Sequence, residues 1–189
     1  MTETIFTIGH STRAIDEFLR LLHVHGVQRV VDVRTIAKSR HNPQFAESEL
    51  ASSLSADGLG YERLESLGGL RHSSAGFESV NGAWRNASFR SYADYMQTDA
   101  FDAGLAELIA LGERERVAIM CAEAVPWRCH RSLIGDALLV RGIAVRDIMS
   151  EKAARPHELT RFARVDGLRV TYPPQNSTVS RSEQEQQKP

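Results

Sequence analysis

Two thiols, a His-Arg pair and an acidic group crowd into one short stretch of this chain. Cys121 closes the apolar run Val117-Ala118-Ile119-Met120 and is followed by Ala122-Glu123, and Cys129-His130-Arg131 comes eight residues after the first thiol. The chain has no other cysteine. Cysteines placed for packing alone are more often scattered, and Arg128 and Asp136 fall in the same segment, so the grouping points to a reactive or ligand-binding site. Thiolate is the reactive form of cysteine, and cations and a helix N-terminus favour it. Cys121 is therefore the candidate nucleophile, with Glu123 and His130 as candidates for acid–base steps. Arg131 suits an anion, because its planar fork binds a carboxylate or phosphate through two bonds. Packing offers a plainer account of the same residues. A free cysteine is a common small core residue, His130 can be a capped structural histidine, and Arg131 can pair with Asp32 or Glu123. If a helix opens at Arg128, Cys129 and His130 point about 100° apart and cannot aim at one spot, so Cys129 is expected to pack.

Other candidates lie far away in sequence. His10 and Ser11 follow Gly9, which permits a tight turn and close backbone approach to a ligand. Asp32 and Arg34 sit two apart on one strand and share a face, as a binding pair or as a structural ion pair. Arg40, flanked by Lys38 and His41, reads as a phosphate clamp or as solvated charge. Tyr92, with Trp84, Phe89 and Tyr95, offers rings for stacking on a base, or aromatic core.

The elements that must position these groups alternate in type. Thr4 to Ile8 predicts a strand, Asp16 to His25 a helix ended by Gly26, and the β-branched run Val27 to Val33 a strand buried on both faces. Thr35 to Phe45 is a polar, basic loop long enough to be functional. Ala46 to Asp57 predicts a helix and Tyr61 to Leu64 a short strand. Leu67 to Asn86, with four glycines, reads as an irregular insertion. Phe89 to Leu111 predicts a helix broken near Thr98-Asp99. Arg116 to Met120 and Ile143 to Ile148 predict core strands around a helix from Arg128 to Arg141. His157 to Ala163 predicts a short helix and Leu168 to Tyr172 an extended segment. The pattern predicts an α/β fold, a three-layer sandwich with a mainly parallel central sheet, Rossmann-like, as a single domain over 1–173. A disordered polar tail is expected over 174–189. In parallel sheets ligands gather outside the carboxyl ends of the strands. Gly9-His10-Ser11, Asp32-Val33-Arg34 and Cys121-Ala122-Glu123 all end strands, so the reading places them on one rim, and this convergence argues for an enzyme.

Composition narrows the setting. With 42% hydrophobic and 25% charged residues the chain is an ordinary globular one. Its formal net charge of -1 gives no global pull toward nucleic acid, although a local basic cleft is compatible with it. No apolar run nears the roughly 20 residues that span a bilayer, so no membrane association is expected. The N-terminus enters a strand pattern at once, so no signal peptide is expected. Two thiols near cations fit a reducing cytoplasm better than a disulfide scaffold.

Taken in order, Thr7-Ile8-Gly9-His10-Ser11, Asp32-Val33-Arg34, Ser39-Arg40 with Asn42-Pro43 and Phe45, Leu67-Gly68-Gly69, Tyr92 through Met96, Met120-Cys121-Ala122-Glu123, Cys129-His130-Arg131, and His157-Glu158-Leu159 with Tyr172-Pro173 resemble the family catalogued as domain of unknown function 488. The likeness covers about residues 4 to 173. This chain departs from the family at Ile36-Ala37, where a proline often stands, which leaves the start of the basic loop less constrained. The resemblance implies a bacterial-type cytosolic α/β protein with a tie to nucleotide or nucleic-acid processing, and no agreed reaction.

The expected function is an enzyme acting on a nucleotide, nucleobase or other phosphorylated ligand. Arg34, Arg40 and Arg131 would hold anionic groups, and Cys121, Glu123, His130 and His10 would serve the chemistry, with Ser11, Asp32 and Tyr92 shaping the site. No cofactor can be named. A non-catalytic nucleotide or nucleic-acid binding module could use the same arginines. Rhodanese-like sulfur transfer is a further alternative, because a rhodanese or phosphatase loop also runs from a strand-end Cys to an Arg. Here, however, the loop is bulky and contains proline, whereas an anion cradle wants small residues. A metal site from Cys121, Cys129, His130 and His10 lacks the usual Cys-x-x-Cys or His-x-x-x-His spacing.

Overall fold

Five parallel strands form the centre of the computed structural model, which describes residues 4–72 and 78–174. The strands β1 (Thr4–Gly9), β2 (Arg29–Asp32), β3 (Gly60–Arg63), β4 (Val117–Cys121) and β5 (Ala144–Ile148) lie in the order β3-β2-β4-β1-β5. The short β6 (Arg155–Pro156) joins the β5 edge antiparallel. Strand β4 is buried at every position, as expected of a strand with neighbours on both edges and helices on both faces.

Period-two alternation splits the side chains between two cores. Phe6, Ile8, Val30, Ala118 and Met120 face α1 (Ile15–Val24) and α2 (Glu47–Ala56), meeting Phe18, Leu22, Leu50 and Leu54. Ile5, Val31, Val33, Ile119 and Cys121 face the opposite layer. That layer is built from α3 (Ala87–Tyr95), α4 (Asp99–Arg114) and α5 (Arg131–Leu139). The fold is a three-layer α/β sandwich of Rossmann-like type.

Two breaks have local causes. The predicted interruption near Thr98-Asp99 separates α3 from α4, because the Thr98 hydroxyl accepts a hydrogen bond from Phe101 N and caps the second helix. The helix expected from Arg128 starts instead at Arg131. Pro126–Arg128 form a 3-10 turn, and Cys129 is extended with φ -134° and ψ 149°.

The short helix expected over His157 to Ala163 is not formed. His157 N donates to Val145 O, and Thr160 N donates to Asp136 Oδ1, so β5 and a buried carboxylate take the amides that would start a helix. The chain then forms a hairpin, β7 (Arg164–Asp166) and β8 (Arg169–Thr171), turning through Gly167 at φ +58°. A tight two-residue loop with glycine first suits that turn. The expected polar tail lies, from residue 175, outside the described residues, as do residues 73–77 of the expected insertion.

Candidate functional site

Strand order brings the three strand ends together. Cys121 lies opposite Gly9 in the β1–β4 register, and Met120 lies opposite Asp32 in the β2–β4 register. The pairing extends past the strands through His10 N to Cys121 O, Ser11 N to Ala122 O and Val33 N to Met120 O. The chain leaving β1 runs toward β2 and β3, and the chain leaving β4 runs the other way, toward β5. A crevice at the carboxyl edge follows from such a reversal. A cleft of about 330 Å³ opens there, lined by Arg34, Cys121, Glu123, Arg128, Cys129 and His130 together with Ile36, Leu70 and Phe89.

The two thiols meet at its floor. Cys121 Sγ lies 2.7 Å from Cys129 Sγ, and both residues are buried. Because α5 begins two residues after Cys129, the 100° argument does not apply. Cys129 lines the cleft beside Cys121 and is at the same time packed in the core on the α3–α5 side, as expected. Arg131, only 1% exposed, donates from Nε to Cys121 Sγ (3.0 Å), from Nη1 to Thr7 Oγ1 (3.1 Å) and from Nη2 to Glu123 O (2.7 Å). Its backbone N–H points at Cys129 Sγ at 3.5 Å. His130 is oriented by Nε2 on Val33 O (2.9 Å), which leaves Nδ1 3.4 Å from Cys129 Sγ. Burial and the hydrogen bond to Cys129 push the Cys121 thiol well up. Burial also acts upward on Cys129. The hydrogen bond with Cys121 and the neighbouring His130 and Arg131 outweigh it and hold Cys129 well below the usual thiol range. These directions favour a thiolate on Cys129 beside a buried guanidinium.

Glycines let the parts approach. A Cβ at Gly69 would sit 2.5 Å from His130 Nδ1, and one at Gly9 only 1.8 Å from Glu123 O. Gly69 and Gly9 are thus packing requirements around the cleft.

The remaining expected site residues stand elsewhere. His10 and Asp32 reach the rim, but strand alternation turns them to the α1–α2 side, away from Cys121. His10 stacks on Phe45, with centroids 4.3 Å apart. Desolvation by burial lowers its pKa to about 4. It is therefore neutral, donating from Nδ1 to Ser11 O and accepting at Nε2 from Arg34 Nη1 (3.4 Å). Asp32 is fully buried and paired with Arg34, and Tyr61 also donates to it. Arg34 edges into the cleft but is committed to Asp32 and to Phe45 O. Ser11 adopts φ +50° and lies outside the cleft lining. Arg40 is exposed and also outside it. Tyr92 is fully buried, its hydroxyl donating to Leu67 O (2.9 Å), so its ring belongs to the core.

Sequence reasoning counted Arg128 only as a cation near Cys121 and left it out of the anion-binding set, yet it lines the cleft and has no side-chain partner among the described residues. It also missed a polar chain leading inward from Arg131. Thr7 donates to Asp147 (2.7 Å), Asp147 faces His157 (3.6 Å), and His157 pairs with Asp136 (3.0 Å). Asp136 also accepts from Tyr172. An aspartate inside the apolar strand Ile143 to Ile148 was the available signal, since buried carboxylates need partners. Of the four residues considered as metal ligands, His10 stays apart. No group of three or more His, Cys, Asp or Glu is placed to hold a metal among the described residues. Nor does any helix among them have the length and apolarity to cross a membrane.

A family model described as domain of unknown function DUF488 matches residues 14–138, which include Asp32, Arg34, Gly69, Cys121 and Cys129-His130-Arg131. No curated protein and no solved structure matches the chain.

Proposed function

The chain belongs to the DUF488 family, and from its cleft we propose that it is an enzyme acting on a nucleotide, nucleobase or other phosphorylated ligand. The observation that carries this reading is the meeting of the Cys121–Cys129 pair, His130 and Arg128, which has no side-chain partner among the described residues, around one cleft. A Cys129 thiolate in the neighbourhood of His130 and a buried guanidinium is a nucleophile favoured at neutral pH. His130 Nδ1 is within reach to exchange a proton with Cys129, and Glu123 stands at the mouth as a second acid–base group. Arg128 takes the anionic group, because Arg34 and Arg131 spend their N–H groups on Asp32 and on the thiol floor. Ile36, Leu70 and Phe89 offer an apolar wall for a base or similar flat group. Such reduced thiols suit the cytoplasm.

The test uses reduced protein and a panel of nucleotides, nucleobases and sugar phosphates. Phosphorylated members should raise the melting temperature and slow alkylation of the cleft thiols by iodoacetamide. If none does either, the reading fails. Binding without turnover, with a flat pH dependence, would instead identify a non-catalytic binding module.

A further inference from the structure

We infer that Cys121 and Cys129 are a redox couple, which a hydroperoxide closes into an intramolecular disulfide and a small thiol reopens. The sulfurs stand 2.7 Å apart, and a disulfide needs about 2.05 Å. The sulfurs therefore need to approach by only about 0.65 Å to bond. Both sulfurs line the cleft, so a reagent as small as a hydroperoxide reaches them without opening the core. No third cysteine competes as a partner. Two cysteines kept only for packing would not need a guanidinium Nε on one sulfur, a backbone N–H on the other and an imidazole Nδ1 beside it.

The chemistry balances within the cleft. The Cys129 thiolate attacks the terminal oxygen of the hydroperoxide, forming an S–O bond and breaking the O–O bond. The departing oxygen leaves as an alcohol, or as water from hydrogen peroxide, after taking a proton by way of His130. Cys121 then attacks the resulting sulfenic sulfur. Its thiol proton goes to the hydroxyl, which departs as water, and the S–S bond forms. Two thiols lose two electrons, and the hydroperoxide gains them.

Arg131 makes the couple reversible. In the dithiol form its buried guanidinium donates to Cys121 Sγ, which is hydrogen-bonded to the Cys129 thiolate. In the disulfide form both sulfurs are neutral, and the cation keeps only Thr7 and the Glu123 carbonyl as acceptors. An uncompensated buried charge is unfavourable, so the reduced form is favoured and the disulfide is easily reduced, as with other low-pKa thiol pairs. The consequence for catalysis rests on the function proposed above: oxidation removes its nucleophile.

The experiment treats the reduced full-length protein with stoichiometric hydrogen peroxide and follows intact mass and free-thiol count. The expected result is loss of both thiols and of two hydrogens in mass, with no dimer on a non-reducing gel and full recovery with reduced glutathione. In Cys121→Ser the resolving thiol is gone, so a sulfenic acid should persist on Cys129 and be trapped by dimedone. Oxygen addition to the unmutated protein without a disulfide, or thiols that survive peroxide, would overturn the inference. The nucleotide melts on reduced protein are read separately. Disulfide formation in a protein that binds no phosphorylated ligand supports the couple while removing the catalytic reading.

Discussion

Replacing His157 with glutamine should lower the stability of this protein by an amount that depends on pH in a defined way. The His157 ring lies between two carboxylates, with Nε2 3.0 Å from Asp136 and Nδ1 3.6 Å from Asp147. Burial by itself lowers the pKa of an imidazole, but the two aspartates outweigh it and raise His157 from 6.5 to about 9. A raised value means that the native state holds the proton more tightly than the unfolded chain does. The resulting stabilisation is complete below pH 6.5, declines as the pH rises from 6.5 to about 9, and is lost above that. At roughly 1.4 kcal/mol per pH unit, the interval corresponds to about 3 kcal/mol. The side chain is only 7% exposed, so solvent screening removes little of it. Glutamine can still hydrogen-bond one carboxylate but carries no charge. His157→Gln should therefore unfold about 3 kcal/mol more readily than the unmutated protein at about pH 6. The difference should shrink across the window and reach its small packing remainder above about pH 9. Urea unfolding of both proteins at several pH values measures this difference, with groups common to both cancelling. A difference that stays constant with pH would refute the assignment of a charged histidine to this position.

Other substitutions probe the cleft and its surroundings. Gly9→Ala places a Cβ 1.8 Å from Glu123 O, a backbone atom that cannot swing away, and should destabilise by about 3 kcal/mol or prevent folding; a melting temperature near the unmutated value would contradict the close approach. Arg128→Ala and Arg40→Ala should each leave stability within about 0.5 kcal/mol. Calorimetry should show Arg128→Ala weakening a phosphorylated ligand by about 1.5–3 kcal/mol, with Arg40→Ala unchanged; equal losses would put the anion outside the cleft. Tyr92→Phe removes the hydrogen bond to Leu67 O and should cost about 1 kcal/mol of stability with no loss of affinity. A drop in affinity would return that ring to the ligand.

Much of the architecture was legible because local rules govern it. Val27, Val30, Val31 and Val33 are β-branched and bury between two helical layers, and that valine-rich run marked the segment as a strand. The break near Thr98-Asp99 was legible, and the structure supplies its cause in the Thr98 capping hydroxyl. Alternating strands and helices implied a parallel sheet, and a parallel sheet implied that Gly9, Asp32 and Cys121 would end on one edge. The His157 to Ala163 helix was misread because Val145 O and Asp136, distant in sequence, claim its amides. The start of α5 was misread because a proline turn and an extended Cys129 delay it.

By itself, then, the sequence determined the element types, the edge on which the chemistry gathers, and the thiol–histidine–arginine grouping at its centre. Tertiary structure alone decided which face of the sheet each rim residue takes. Register and side-chain parity turn Cys121 toward α5 and turn His10 and Asp32 toward α2, so residues that share an edge divide between a cleft and an ion-paired core. It also decided which arginine stays free. Arg34, Arg40, Arg128 and Arg131 look alike as letters. Only the packing around each one settles whether a buried aspartate, a pair of sulfurs or solvent meets the guanidinium, because contacts between distant segments follow from strand order and loop geometry, which local propensity does not encode.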